Sequence, residues 1–179
     1  STNSIKHAAD FKYSFQNEHP EITINELTFE GNVFDSNKET ITFSNFEKVL
    51  VNNLTLKNKE QQIRINGSEE QLNLDISNFQ ISPLYEFYNT SDIKVNGLLY
   101  ANVQLENQLS NIKGKANIRA DKLTVDNESI GEITVDVKEL TEEGVTVKGA
   151  INGARSMATF DGKVSLDEAL TTFMNIDLE

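Results

Sequence analysis

Apolar residues in this chain recur at every second position almost from end to end. Phe11, Tyr13 and Phe15 begin the pattern. Ile63 and Ile65, then Leu72, Leu74 and Ile76, carry it on, and Leu99, Ala101, Val103 and Leu105 repeat it. Later come Ala116 and Ile118, then Ile133, Val135 and Val137, then Val145 and Val147. A strand turns successive side chains to opposite faces, so this period predicts strands with one dry and one wet face. The intervening Thr, Asn, Lys, Glu and Asp suit a solvated sheet face. Turn signals at Asn66-Gly67, Glu143-Gly144 and Asp161-Gly162 divide the runs into roughly a dozen strands. The fold class predicted is all-β, mostly antiparallel.

Four six-residue stretches break the alternation in the same way. They are INELTF (Ile24 to Phe29), VNNLTL (Val51 to Leu56), ISNFQI (Ile76 to Ile81) and ADKLTV (Ala120 to Val125). In each, two polar residues separate apolar positions that are three apart, after which the period of two resumes. In a flat strand this slip would turn the later apolar groups into water. A bulge at Asn25-Glu26, Asn52-Asn53, Ser77-Asn78 and Asp121-Lys122 restores them to the dry face. Tight turns between short strands satisfy the pattern too. Either device curves or folds the sheet.

One short helix is predicted near residues 83–89. Ser82 is placed to cap it, Pro83 occupies its first turn, and Leu84, Phe87 and Tyr88 share a face. LDEALTTF (Leu166 to Phe173) is a weaker helical candidate, and the following MNIDLE alternates like a strand. Large aromatic residues concentrate before position 90, whereas Gly and Ala fill many later apolar positions. Small inward residues either leave room for a ligand or let two sheet layers approach closely. The close approach of layers is the simpler of the two.

The chemistry is sparse. The 179 residues suit a single domain 1–179, with a weak subdivision near 82–92. A net charge of −12 argues against the basic patch that nucleic acid or anionic headgroups need. Without Cys there is no disulfide, thiolate metal site or Cys nucleophile. His7 and His19 have no second His at ligand spacing. FDSNKET resembles the start of a calcium loop, but Thr40 and Phe46 stand where Gly and the bidentate Glu belong, so it reads as a polar turn. No nucleophile elbow, phosphate loop or dinucleotide fingerprint is present. The expectation is a protein that is not an enzyme and takes no cofactor. A curved sheet of this kind can close on its own core as a barrel or sandwich, or stay open as a trough for acyl chains.

Thr40 to Glu179 resembles the TamB/AsmA-like family of diderm bacteria, particularly its Bacteroidota-type members. The resemblance is carried by TITFSNFEKVLVNNLTLKNKEQQIRINGS, where a strand pair leads to an I-x-I-x-G element at Ile63 to Gly67. LNLDISNFQISPLYEFYN follows, a strand and a short helical element. Next is VNGLLYANVQLENQLSNIKGKANIRADKLTV, with Gly97 opening a hairpin, and last SIGEITVDV, like the family's I-G-D-L strand start.

The resemblance implies a curved, apolar β-sheet trough, called a β-taco, in a long protein anchored in the inner membrane by an N-terminal helix and reaching across the periplasm. On that basis the chain is expected to be a periplasmic segment excised from such a protein, without its membrane helix. The family's functions would be phospholipid transport and, with an Omp85-type outer-membrane partner of the full-length protein, outer-membrane protein assembly. The expected ligand is a phospholipid or other acyl chain.

The groove candidates in the first half are Ile24, Leu27, Phe29, Ile41, Phe43, Leu54, Leu56, Ile63, Ile65, Leu74, Ile76, Phe79 and Ile81. In the second half they are Leu99, Ala101, Val103, Leu105, Ala116, Ile118, Leu123, Val125, Ile133, Val135 and Val137. The competing expectation is a β-rich surface or adhesin-type module with a closed core, in which all of these are plain core. Sugar-binding versions usually expose aromatic platforms, and this chain has no Trp and four Tyr. Self-association through an edge strand is open to either kind of fragment.

Overall fold

Each alternating run becomes a strand. A computed structural model describes residues 7–16, 19–44, 48–88, 93–106, 113–141, 144–153, 157–165 and 172–178, the side chains of 85–88 and 172–178 excepted. The strands are β1 (His7–Gln16), β2 (His19–Phe29), β3 (Asn32–Ser36), β4 (Thr40–Ser44), β5 (Lys48–Asn58), β6 (Gln61–Gly67) and β7 (Gln71–Gln80). After the helix α1 (Ile81–Tyr88) come β8 (Val95–Glu106), β9 (Lys113–Val125), β10 (Glu128–Thr141), β11 (Gly144–Asn152), β12 (Met157–Ser165) and β13 (Thr172–Leu178).

All thirteen strands belong to one sheet, which is antiparallel at every pairing and runs as an open path from β1 to β13. Among the described residues the fold is therefore a single curved sheet, with neither the closure of a barrel nor the second sheet of a sandwich. β3 and β4 act as two halves of one interrupted strand. Both pair with β2 on one side and with β5 on the other.

The four slipped stretches are bulges inside continuous strands, not turns. In β2 the register jumps where Asp10 pairs Glu26 and Phe11 pairs Ile24, leaving Asn25 extra. In β5, Asn52 and Asn53 together oppose the single residue between Ile65 and Gly67. In β7, Ser77 and Asn78 oppose Tyr100. In β9, Asp121 and Lys122 oppose Glu132 of β10. The second bulge residue takes a left-handed backbone in three of the four, at Asn53 (φ 55°), Asn78 (φ 52°) and Lys122 (φ 54°). Asn reaches that region at lower cost than most residues, because its short side chain can bond locally.

The bulge in β5 is held by neighbouring amides. Asn37, in the gap between β3 and β4, donates from Nδ2 to the Asn53 carbonyl (2.8 Å) and accepts at Oδ1 from the Thr55 amide (2.9 Å). The FDSNKET turn thus bridges a broken strand to a bulged one. Asn53→Val places a β-branched residue at positive φ, and the expected loss is about 1–2 kcal/mol of stability. Asn53→Gly is expected to stay within a few tenths of wild type. Urea unfolding of the two variants checks this, and equal midpoints would remove the strain argument.

The hairpin turns are not all where the sequence suggests. Glu30-Gly31 (φ 45° and 74°) and Asp126-Asn127 (φ 49° and 69°) form two-residue turns with both central residues left-handed, the twist that suits a tight hairpin. Asp161-Gly162, expected to be a turn, lies in the middle of β12, with Asp161 opposite Lys148 and Gly162 opposite Val147. Asn66-Gly67 ends β6 rather than turning, and the reversal follows at Ser68, whose amide donates to the Gln71 carbonyl (2.8 Å). Gly144 opens β11, and Glu143 lies outside the described residues.

Helix α1 begins two residues before the expected start, with Pro83 in its first turn, where a missing amide hydrogen costs nothing. Ile81, expected in a strand of the groove, is instead the first residue of α1. Of the second helical candidate, 166–171 lie outside the described residues, while Thr172 and Phe173 belong to β13.

Candidate functional site

Directly opposed residues of antiparallel strands share a face, so the registers assemble the alternating residues into rows running across the strands. One row passes from Leu56 through Ile63, Ile76, Ala101, Ile118, Val135 and Gly149 to Phe160. Beside it run Leu54, Ile65, Leu74, Val103, Ala116, Val137, Val147 and Gly162. A third row contains Val51, Gly67, Leu72, Leu105, Gly114, Leu140, Val145 and Val164. A fourth links Phe79, Leu99, Ala120, Ile133, Ile151 and Ala158. None of these positions carries a charge. The rows make one uncharged inner face.

The remaining candidates join this face at its ends. Ile24, Leu27 and Phe29 pack against the buried core from β2, on both sides of its bulge. Ile41 pairs with Ile22, and Phe43 with Val49. Past the β9 bulge, Leu123 opposes Gly131 and Val125 opposes Val95. Ile81 stands apart, with its Cδ1 against Gly97 at the end of β8, where α1 covers the sheet.

Burial is deepest at a few points of the face. Phe34, Val51, Leu54, Leu56 and Phe79 are buried, all from β3, β5 and β7. Phe34, only 1% exposed, stacks on Phe79 with ring centroids 5.6 Å apart and planes 11° from parallel. Phe29 meets the same ring at 6.4 Å, and Leu84 of α1 packs against the cluster. β3 and β7 are separated in the sheet by β5 and β6, so this stack shows the sheet curling over itself. The inward apolar side chains of β6, Leu72, Leu74 and Ile76 of β7, and those of β8 to β12 are half-buried. Among the described residues no second sheet covers them. On the edge strand β1, Phe11 (55% exposed), Tyr13 (64%) and Phe15 (61%) oppose Ile24, Ile22 and Pro20 and extend the apolar face to the rim.

The small inward residues have a different cause from the expected approach of two layers. A Cβ on Gly149 would overlap the Phe160 ring, and one on Gly114 would crowd Leu105 Cδ2 at 2.8 Å. Each glycine makes room for the large residue beside it in its own row.

The outer face is polar. Arg64, Asp75, Asn102, Asn117, Asp136, Lys148 and Asp161 follow one another in register. Asn102 Nδ2 donates to Asp75 Oδ1 (2.6 Å), and Asn117 Nδ2 to Asp136 Oδ1 (2.5 Å). At the β7 bulge, Tyr100 donates its hydroxyl to Asn78 Oδ1 (2.6 Å), the Arg119 guanidinium lies 4.5 Å from the centre of the Tyr100 ring, and Arg119 pairs with Asp121 (3.0 Å). These contacts clamp β7, β8 and β9 together across the bend.

The Asn117 amide, and secondarily Lys138, hold the Asp136 carboxyl below the usual carboxylate range. A lowered value means that this carboxylate stabilises the fold above the ordinary pKa, and that its contribution is lost as pH falls through the lowered one. Asn117→Ala is expected to raise the Asp136 pKa, as read by a carboxyl NMR titration. An unchanged titration would exclude Asn117 as the main cause.

Among the described residues no cluster of three or more His, Asp or Glu is placed to hold a metal ion. His7 faces Glu30 (3.1 Å) and the Phe29 ring at the sheet edge. A cleft of about 340 Å³ opens on the outer side between Asn102, Lys115, Asn117, Asp136 and Lys138, all of them solvated polar groups. Among the described residues no helix is long and apolar enough to cross a membrane.

Phe34, the closing residue of the core, is absent from the sequence-derived groove set. It sits in a five-residue strand beside a polar turn, where no alternating run announces it. Val145, Val147 and Phe160 also join the inner face, and the alternation in β11 was a usable signal for the first two.

No protein-family model matches the chain, and neither a curated protein nor a solved structure matches it.

Proposed function

We propose that this chain is an acyl-chain-holding segment of a TamB/AsmA-like bridge between the inner and outer membranes. In this reading it lies in the periplasm, moves phospholipid along its inner face, and through the full-length protein works with an Omp85-type partner in outer-membrane biogenesis. It performs no covalent chemistry. One observation carries the reading: uncharged rows continue strand after strand from β5 to β12, and among the described residues no second sheet packs on them.

The physical basis is burial. An acyl chain lying in such a trough is stabilised by about 0.8 kcal/mol per methylene removed from water, without any specific polar contact. A charged headgroup finds no partner inside and stays at the mouth.

Native mass spectrometry of the protein purified without detergent, with lipid extraction from the same sample, tests the proposal. A bound phospholipid is expected. A compact, lipid-free monomer would favour the closed-core interaction module instead.

A further inference from the structure

Among the described residues β1 pairs with β2 alone, so its other long side is an open edge of the sheet. In an antiparallel ladder each residue turns its amide and carbonyl to one side, and neighbours alternate. About half of the backbone groups of Ala8–Ser14 therefore point away from β2. Exposed edges are usually blunted by Pro, by a bulge in the edge strand or by inward charges. β1 lacks all three. Its sequence HAADFKYSFQ has no Pro, the bulge beside it belongs to β2, and Asp10 and Lys12 lie on the outer face opposite Glu26 and Thr23. On the inner face Phe11, Tyr13 and Phe15 are each more than half exposed.

The outer face of β1 adds a charge pattern. Asp10 stands opposite a like-charged residue, Glu26. Neither Asp10 nor Lys12 has an ion-pair partner within the chain among the described residues. A second β1 supplies both partners. When two copies run antiparallel about a twofold axis at Phe11, Asp10 of each meets Lys12 of the other. Tyr13 then lies opposite Ala9, large against small, and Phe11 opposite its own counterpart.

We propose that this chain forms a twofold-symmetric dimer by antiparallel pairing of its β1 strands, centred on Phe11. Only this register joins Asp10 to Lys12, and it does so on both sides of the axis. Centring on Lys12 sets two ammonium groups against each other, and centring on Asp10 sets two carboxylates. A register displaced by one residue turns Phe11 to the face that carries the other copy's charges. Opposed residues share a face, so the two inner faces join into one. The aromatic residues at the rim of each sheet then lie in the middle of the joined one. The inference goes beyond the lipid-carrying reading and does not depend on it.

Sedimentation velocity on the lipid-free protein over a concentration series tests the dimer. A reversible dimer is expected. Asp10→Lys and Lys12→Asp each convert two opposite-charge pairs into like-charge pairs. Each alone is expected to raise the dimer Kd about thirtyfold at low salt. Asp10→Lys also places a cation opposite Glu26, so it does not weaken the pairing of β1 with β2. The double variant exchanges the two charges and is expected to restore the wild-type Kd. Mixing the two single variants is expected to give mainly the heterodimer. A monomer at every concentration, or a dimer whose Kd neither single variant moves, would overturn the proposal. Polymers that lengthen with concentration would overturn it too, because they require β1 to pair with the opposite edge, β13.

Discussion

Val103→Arg is expected to abolish phospholipid binding while the protein stays folded. Val103 lies mid-row between Leu74 and Ala116, on the inner side of β8. It is half-buried, so an Arg stem can lie along the row and carry its guanidinium to the mouth of the trough, as amphipathic side chains commonly do. An acyl chain has no such escape. Displacing about six methylenes from the row costs about 5 kcal/mol, which lowers affinity by roughly three orders of magnitude. The bound lipid should disappear from native spectra, and circular dichroism should keep its strand signal. Val103→Ile, which preserves the apolar row, should retain lipid. A folded Val103→Arg protein with undiminished lipid would count directly against the trough.

Phe34→Ala is expected to do the reverse and damage the fold first. The ring is 1% exposed, stacked on Phe79 and packed with Leu56 and several half-buried neighbours. Truncating a buried Phe removes its transfer energy and leaves a cavity, at a cost of about 3–5 kcal/mol. For a chain of this size that corresponds to a fall in Tm of about 10 °C. Phe11→Ala is the matched control. Its ring is 55% exposed on the edge strand, and the change is expected to stay within about 0.5 kcal/mol. Calorimetry on both variants separates a true core from an apolar face that is merely turned inward. Equal losses would mean that the aromatic stack does not close the sheet.

These two residues also mark how far the sequence could be read. Alternation is a local property, set by the geometry of each strand, so Val103 could be assigned to the inner face from its neighbours alone. The bulges were legible for the same reason. An extra residue leaves a slip of one in the pattern, and the Asn at positions 53 and 78 suits the left-handed backbone found there. Phe34 was not legible, because its burial depends on curvature summed over β5 and β6, which no stretch of sequence reports. Asp161-Gly162 misled for a different reason. It has the composition of a turn, yet pairing with β11 and β13 on both sides holds it extended. The deep burial of Val51, Leu54, Leu56 and Phe79 within an otherwise half-buried face is likewise a property of the folded sheet, not of its composition.

The single-layer construction has a consequence for how the molecule comes apart. Apart from the aromatic cluster and the helix, the main backbone contacts among the described residues run between neighbouring strands, so the protein behaves as a linear array of nearest-neighbour interfaces rather than as a globule with one shared centre. Such an array can shed strands from an end without losing the rest. Around Phe34 that freedom is removed, because the stack ties β3 to β7 across the intervening strands. From β8 to β12 the described residues show no aromatic stack of this kind between distant strands. A hydrocarbon chain lying across these strands, as the proposed lipid-carrying role requires, would supply such a tie, so this end of the array would be firmer when occupied and would loosen on release.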